Sequence, residues 1–185
     1  MKKLIIGALV GGILIFIWQT LSYTILDLHR SAQQYTDKQD EIMTFLNSHF
    51  DHDAAYFMPN VPPDASSEVM EQAMTAAVGK PWAVIQYHKE LDMSMGMNIA
   101  RGLIVDIIMA GFFCWIISAF GNPRFGNVFF ATLLVGLISF INFPYTNHIW
   151  YQTFDTSAHL VDALVGWGLA GLFLGWLYGR RPAVK

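Results

Sequence analysis

The chain has little charge and almost no cysteine. Charged residues make up 14% of its 185 residues and hydrophobic residues 54%, whereas a soluble domain carries about 25% charged residues. Together with a mean hydropathy of +0.39, those proportions exclude an ordinary soluble domain and indicate an integral membrane protein. A single cysteine, Cys114, excludes an intramolecular disulfide and the paired thiols of a membrane thiol oxidoreductase. Eleven Lys and Arg against fourteen Asp and Glu, with no basic stripe, argue against a nucleic-acid partner. The chain also lacks a nucleophile elbow, a Gly-rich phosphate loop, a His-Glu-x-x-His run, the paired acidic motif of membrane proteases, internal repeats and low-complexity tracts. No catalytic residue is assigned on these grounds and no cofactor is called for. Asp27, His29 and Arg30 lie where an outer-surface active site would be, but the polar flank of any first membrane helix looks similar.

Four apolar segments approach the roughly 20 residues a spanning helix requires: Leu4 to Leu26, Ile99 to Phe120, Asn127 to Phe143 and Leu160 to Tyr178. The first follows "MKK" but is too long for a signal h-region and has no small-x-small cleavage site, so it reads as an uncleaved anchor. Short-loop cations set the orientation. Lys2 and Lys3, Arg124, and Arg180, Arg181 and Lys185 all belong on the cytoplasmic side, whereas "PYTNHIWYQTFDTSAH" has no Lys or Arg. The expected fold is an all-α membrane protein with four transmembrane helices, both termini cytoplasmic. A small α/β-type extracytoplasmic cap lies between the first two, giving residues 1–26, 27–98 and 99–185 as first helix, cap and remaining bundle with a short tail.

Within the cap, "TDKQDEIMTFLNSHF" predicts a helix capped by Thr36, and "SSEVMEQAMTAAVGK" a second with a Ser cap and Gly79 as its stop. "AAYFMPN" and "PWAVIQYH" read as short strands. Gly7 and Gly11 in the first helix, and Gly171, Gly175 and Gly179 in the last, have the four-residue spacing that lets backbones approach closely in lipid. A crossing of the first and fourth helices near the cytoplasmic face follows, although a homodimer would use the same surfaces.

Polar residues concentrate in the opposite leaflet. Gln19 and Asp106 are each expected about 10 Å below the outer surface at roughly 1.5 Å per residue, with Asn142, His159 and Asp162 at the outer ends of the third and fourth helices. An ionisable residue at that depth is a functional candidate by default. His159 and Asp162, spaced i, i+3, share a face and are placed to meet Asp106. The plainer alternative has Arg101 paired with an acid and Asp106 accepting hydrogen bonds from Gln19 or Tyr23.

Two stretches carry metal-ligand chemistry. "SHFDHDAAYF" gathers His49, Asp51, His52 and Asp53 without the spacing of a closed motif, and His29, His88 and His148 also lie outside. Met93, Met95 and Met97 would point one way in an extended chain and suit Cu(I), but methionine is equally an adaptable packing residue.

"GGILIFIWQTLSY" in the first helix and "AHLVDALVGWGLAGLFLGWLYG" in the last resemble the ends of small bacterial four-helix membrane proteins of unknown function. The insertion from Asp27 to Asn98 departs from that pattern. The resemblance implies a bacterial cytoplasmic membrane and no activity. Membrane lipids and other membrane proteins, or a second copy, are the expected partners. Two functions follow: an accessory or interaction subunit of a membrane assembly, or an outward-facing binding or transport protein for a small ligand or metal ion.

Overall fold

The computed structural model describes residues 1–179; Arg180, Arg181 and Lys185, three of the cations used for orientation, lie outside the described residues. The chain is mostly helical and divides into two units, Met1–Gln34 with the chain from Ser94 onward, and Tyr35–Met93. The second unit is shorter than the expected 27–98 cap, because residues 27–34 pack with the long helices.

The first unit contains the four helices long and apolar enough to cross a membrane: α1 (Lys2–Thr24), α4 (Met95–Ser118), the continuous span Phe125–Tyr151, and α7 (Thr156–Gly179). They pack in the order α4, α1, α7, α5, with α1 and α7 as the central pair. The buried face of α1 runs through Gly7, Gly11, Ile15 and Ser22, a spacing that keeps one side of a 3.6-residue helix turned inward. Ile15, Phe113, Cys114, Ile117, Val128, Trp167, Ala170 and Leu174 form the core.

The third span runs further than the sequence indicates. Pro144 reads as a helix end because it lacks an N–H and clashes with the preceding turn. Instead α5 (Phe125–Phe140) widens into a π-turn at Ile141–Tyr145 and resumes as α6 (Thr146–Tyr151). The wider turn accommodates the ring, and the Thr146 hydroxyl donates to the Ile141 carbonyl at 2.7 Å. The expected end at Phe143 and the loop reading of "PYTNHIWY" are corrected accordingly.

Glycine placement decides which helices touch. A Cβ on Gly12 would lie 2.5 Å from the Ile107 Cα, so α1 and α4 meet backbone to backbone there. Gly7 faces Cys114 of α4 and Leu174 of α7, and Gly11 faces Ala110 and Leu174. Gly171, Gly175 and Gly179 do not face α1: they receive Phe125, Phe129 and Thr132 of α5. The two glycine rows therefore serve different neighbours, and α1 meets α7 through Leu174.

The Tyr35–Met93 unit is built as helix, strand, helix, strand: α2 (Gln39–His49), β1 (Ala54–Met58), α3 (Ser67–Ala77) and β2 (Ala83–Tyr87). The strands pair antiparallel, Ala54 opposite Tyr87 and Met58 opposite Ala83. The Ser66 hydroxyl accepts from the Val69 N–H and starts α3. Gly79, at φ +79°, allows the turn that follows it. Thr36 does not cap α2; its hydroxyl accepts from the Lys38 N–H, and the helix begins at Gln39. Buried Tyr87 donates to Asn47 Oδ1 at 2.8 Å, and Phe50 stacks on Tyr56, so aromatic rings hold β2 and β1 near α2.

Candidate functional site

At the end of the bundle where α1 finishes and α7 begins, two loops fold inward. After α1 the chain reverses at Asp27, whose φ of +50° lies in the left-handed region, and the Leu28 N–H donates back to the Ser22 carbonyl. A 3₁₀ turn at Arg30–Ala32 follows, and the Ser31 hydroxyl donates to the Phe154 carbonyl at 2.9 Å, tying this loop to the one before α7. The second loop reverses at Gln152, φ +46°, where His148 Nδ1–H donates to the Thr153 carbonyl at 2.9 Å. These bonds push His29 down between α1 and α7, where it is 3% exposed.

Asp155, His159 and Asp162 sit at i, i+4 and i+7 and so share the face of α7 that His29 meets. His29 Nδ1 lies 2.8 Å from Asp155 Oδ2, and Nε2 lies 2.9 Å from Asp162 Oδ2. Its ring stacks on Tyr23, with centroids 3.8 Å apart and planes 4° apart, and meets His159 edge to face at 4.7 Å. His159 Nε2 lies 3.3 Å from the same Asp155 oxygen. The second oxygen of Asp162 accepts from the Trp18 indole N–H at 3.0 Å, and Gly166, one turn later on α7, leaves room for that indole.

The proton count of this arrangement is informative. A neutral imidazole has one N–H, yet both nitrogens of His29 face carboxylate oxygens at hydrogen-bond distance. For both contacts to be hydrogen bonds, the ring and its two carboxylates must share one proton more than a neutral imidazole brings. Asp155 stands just before α7, a position that favours an anion. Burial pushes its carboxyl upward, but the hydrogen bond from His29 and the nearby His159 outweigh that, and it is held below the usual carboxylate range.

Beside the cluster is a cavity of about 340 Å³ whose polar lining is Gln19, Tyr23, Ser139, His159 and Asp162. Ile15 and Trp167 line its apolar part, and Phe140 and Pro144 bring in the π-turn of the third span, a feature common at functional sites. Gln19 also donates to Asp106 Oδ1 at 3.4 Å; Asp106 is 2% exposed and its Oδ2 has no hydrogen-bond partner among the described residues. No Lys or Arg forms an ion pair with Asp106, Asp155 or Asp162 among the described residues.

Of the residues singled out from sequence, Gln19, His159 and Asp162 line this cavity and Asp106 lies behind Gln19. His159 and Asp162 turn to His29 and Asp155 rather than to Asp106. Arg101 is exposed with no ion pair among the described residues, Asn142 is exposed on the π-turn, and neither lines the cavity. Met95 and Met97 lie in the first turn of α4, where residues two apart point to nearly opposite sides; with Met93 all three are more than half exposed. The segment is therefore helical from Met95 and not the extended chain in which all three thioethers would point one way. His49 instead bonds the Phe45 carbonyl and stacks on Phe45, and Asp53 lies 3.5 Å from an exposed His88. From sequence, His29 is named on the polar flank of the first helix without being tied to His159 and Asp162, and neither Asp155 nor Trp18 is singled out, although the i, i+4, i+7 stripe in "DTSAHLVD" marks Asp155.

The chain matches no protein-family model, no curated protein and no solved structure.

Proposed function

We propose that this is an integral membrane protein of the bacterial cytoplasmic membrane that binds a small cation in the cavity beside His29, His159 and Asp162, for uptake or sensing from the outer side. Four spans would leave the start of α1 and the end of α7 on one face. Lys2, Lys3 and Arg124 support assigning that face to the cytoplasm, and Lys3 lies over the Tyr178 ring at the same end of the bundle. The His29 cluster is at the other end, which supports an outward-facing cavity; the same assignment would leave the connection from α1 to α4, and with it the Tyr35–Met93 unit, on the periplasmic side.

One observation carries this reading: two carboxylates with little exposure, Asp155 and Asp162, converge with the two imidazoles of His29 and His159, and no Lys or Arg pairs with either carboxylate among the described residues. Buried carboxylates are costly unless positive charge accompanies them, and a cationic ligand supplies it.

The test is thermal unfolding of the full chain in mild detergent against a panel of alkali, alkaline-earth, divalent transition-metal and small organic ammonium cations. At least one class should raise Tm in a concentration-dependent way, and Asp162→Asn should abolish the rise. A protein stabilised by none of the four classes does not bind a cation here.

An accessory role in a larger assembly is the second reading. It is supported by the number of large apolar side chains the Tyr35–Met93 unit leaves exposed, among them Phe45, Met70, Met74, Val78 and Trp82, which a partner would cover if they adjoin. Stoichiometric co-purification of another membrane protein, lost on Met74→Lys, would support it.

A further inference from the structure

We infer that the cation is a divalent transition metal ion, bound by ring nitrogens of His29 and His159 and a carboxylate oxygen of Asp162, with a further coordination position open to the cavity. This rests on the cation-binding reading above and names its ligand class.

The donor set points away from the other cations. Ions such as Mg²⁺ and Ca²⁺ take oxygen ligands almost exclusively, whereas two of the three convergent groups here are imidazoles, which suit zinc, copper, nickel or iron. Ligand atoms from His29, His159 and Asp162 lie within 4.8 Å of one another. Three ligands about 2.0–2.2 Å from a zinc ion lie roughly 3.3–3.5 Å apart in tetrahedral geometry. The His29 Nε2 to Asp162 Oδ2 separation of 2.9 Å must open by a few tenths of an ångström, and the His159 ring must swing inward. His159, at 31% the most exposed of the three ligand side chains, would exchange its 3.3 Å contact with Asp155 for the ion.

The surrounding bonds favour coordination more strongly than the distances do. Metal-binding histidines almost always donate their other ring N–H to a carboxylate or carbonyl, which fixes the tautomer and aims the lone pair at the ion. Asp155 Oδ2, 2.8 Å from His29 Nδ1, is placed to accept that proton and leave Nε2 as a ligand. Trp18 occupies Asp162 Oδ1, leaving Oδ2 available, and Tyr23 stacked on the ring limits rotation of His29. A metal ion between His29 Nε2 and Asp162 Oδ2 also takes the place of the additional proton that the two contacts of His29 would otherwise need. An organic ammonium ion would satisfy the carboxylates but gives no reason for two imidazoles brought to one oxygen of Asp155. Because His159 and Asp162 line the cavity, the open position is reachable from it, as in sites where an ion is exchanged or meets a further ligand rather than in closed structural centres.

The full chain, purified in mild detergent and freed of metal, should be loaded separately with Zn²⁺ and Co²⁺ and read by elemental analysis and, for cobalt, visible absorption. One equivalent per chain is expected, with cobalt bands of low-coordinate nitrogen and oxygen ligation. His159→Gln and Asp162→Asn should each weaken binding at least tenfold, while a Met93, Met95 and Met97 to Leu triple variant should bind like the parent. His159→Gln is the main variant because its side chain is partly exposed; a gel-filtration profile and near-ultraviolet spectrum matching the parent establish that it folds. Absence of uptake by folded parent protein, or uptake unchanged in both His159→Gln and Asp162→Asn, overturns the metal site. If metal fails but an alkali or organic ammonium ion raises Tm, the cavity still binds a cation of another class; if nothing raises Tm, both readings fall.

Discussion

The two ends of the long-helix unit use the same helices for opposite purposes. Toward the chain termini, α1 and α7 pack through glycines, with Gly7 against Cys114 and Gly175 against Phe125 so closely that a Cβ at either would clash. Toward the other end the same two helices carry Trp18, Tyr23, His159 and Asp162, take His29 between them and border a cavity. Small residues in lipid allow backbone approach and dispersion contacts. Large polar ones hold helices apart and must satisfy one another. One end is thus a close-packed pivot and the other a site, and substitutions at each should fail for different reasons.

The largest expected effect is at the polar end. His29→Ala leaves Asp155 and Asp162 facing each other's charge without the imidazole between them, and breaking a buried pair in this way costs roughly 3 kcal/mol or more. Thermal or denaturant unfolding in detergent should show it, and His29→Gln should recover part of the loss by retaining one donor. If His29→Ala melts like the parent, the loop from Ile25 to Gln34 does not hold the two helices as described.

The glycine end should respond to size alone. In Gly12→Ala the new methyl group meets backbone atoms of Ile107 at 2.5–2.6 Å, so α1 and α4 must separate, at a cost of about 1–3 kcal/mol. Gly111→Ala, in the same contact, would place its methyl group 3.5 Å from the Ala8 Cβ, an ordinary distance, and should be nearly neutral. Equal effects at the two positions would show that helix propensity, not close approach, governs this end.

Asp106 lies between the two regimes. Asp106→Asn keeps the acceptor for Gln19 and replaces an ionisable group by a neutral one in a buried position, so it should be neutral or stabilising by up to about 1 kcal/mol. Its contrast with Asp162→Asn, which removes charge from a carboxylate engaged by both Trp18 and His29, separates a carboxylate tolerated by the fold from one used by the site.

How much of this was legible follows from which signals are local. Apolar run length is local, and it locates all four spans; the Ser66 cap, Gly79 and the alternation of short helices and strands are equally local. The continuation of the third span through Pro144 depends on a π-turn and a Thr146 side-chain bond that no propensity encodes. Glycine spacing indicates close approach but not the neighbour, which is why the Gly171, Gly175 and Gly179 row faces α5 instead of α1. His159 and Asp162 could be found because they lie on one helix face. His29 could not be tied to them, because its pairing across 126 and 133 residues depends on two loop reversals at Asp27 and Gln152, neither of them glycine.

The last and smallest effect concerns the same chemistry outside the bundle. His88 and Asp53 approach to 3.5 Å in the Tyr35–Met93 unit with 68% and 58% of their side chains exposed, so solvent screens the pair as it cannot screen His29 with Asp155. His88→Ala should leave unfolding unchanged within error. What Asp53 does contribute comes chiefly from the Lys89 backbone N–H, which donates to its Oδ1 at 3.0 Å and holds its carboxyl below the usual range. A depressed carboxyl pKa stabilises the fold above its unfolded value, about 3.9, and that contribution is lost as pH falls through the lower folded value. Protection of the Lys89 amide from hydrogen exchange, corrected for intrinsic rate, should therefore be constant from neutral pH to about 4 and decline below it. Asp53→Asn should retain a weakened version of that protection with no such decline. A decline centred near the histidine range would instead mean that His88 carries the interaction, and the contrast between exposed and buried His–Asp pairs would have to be redrawn.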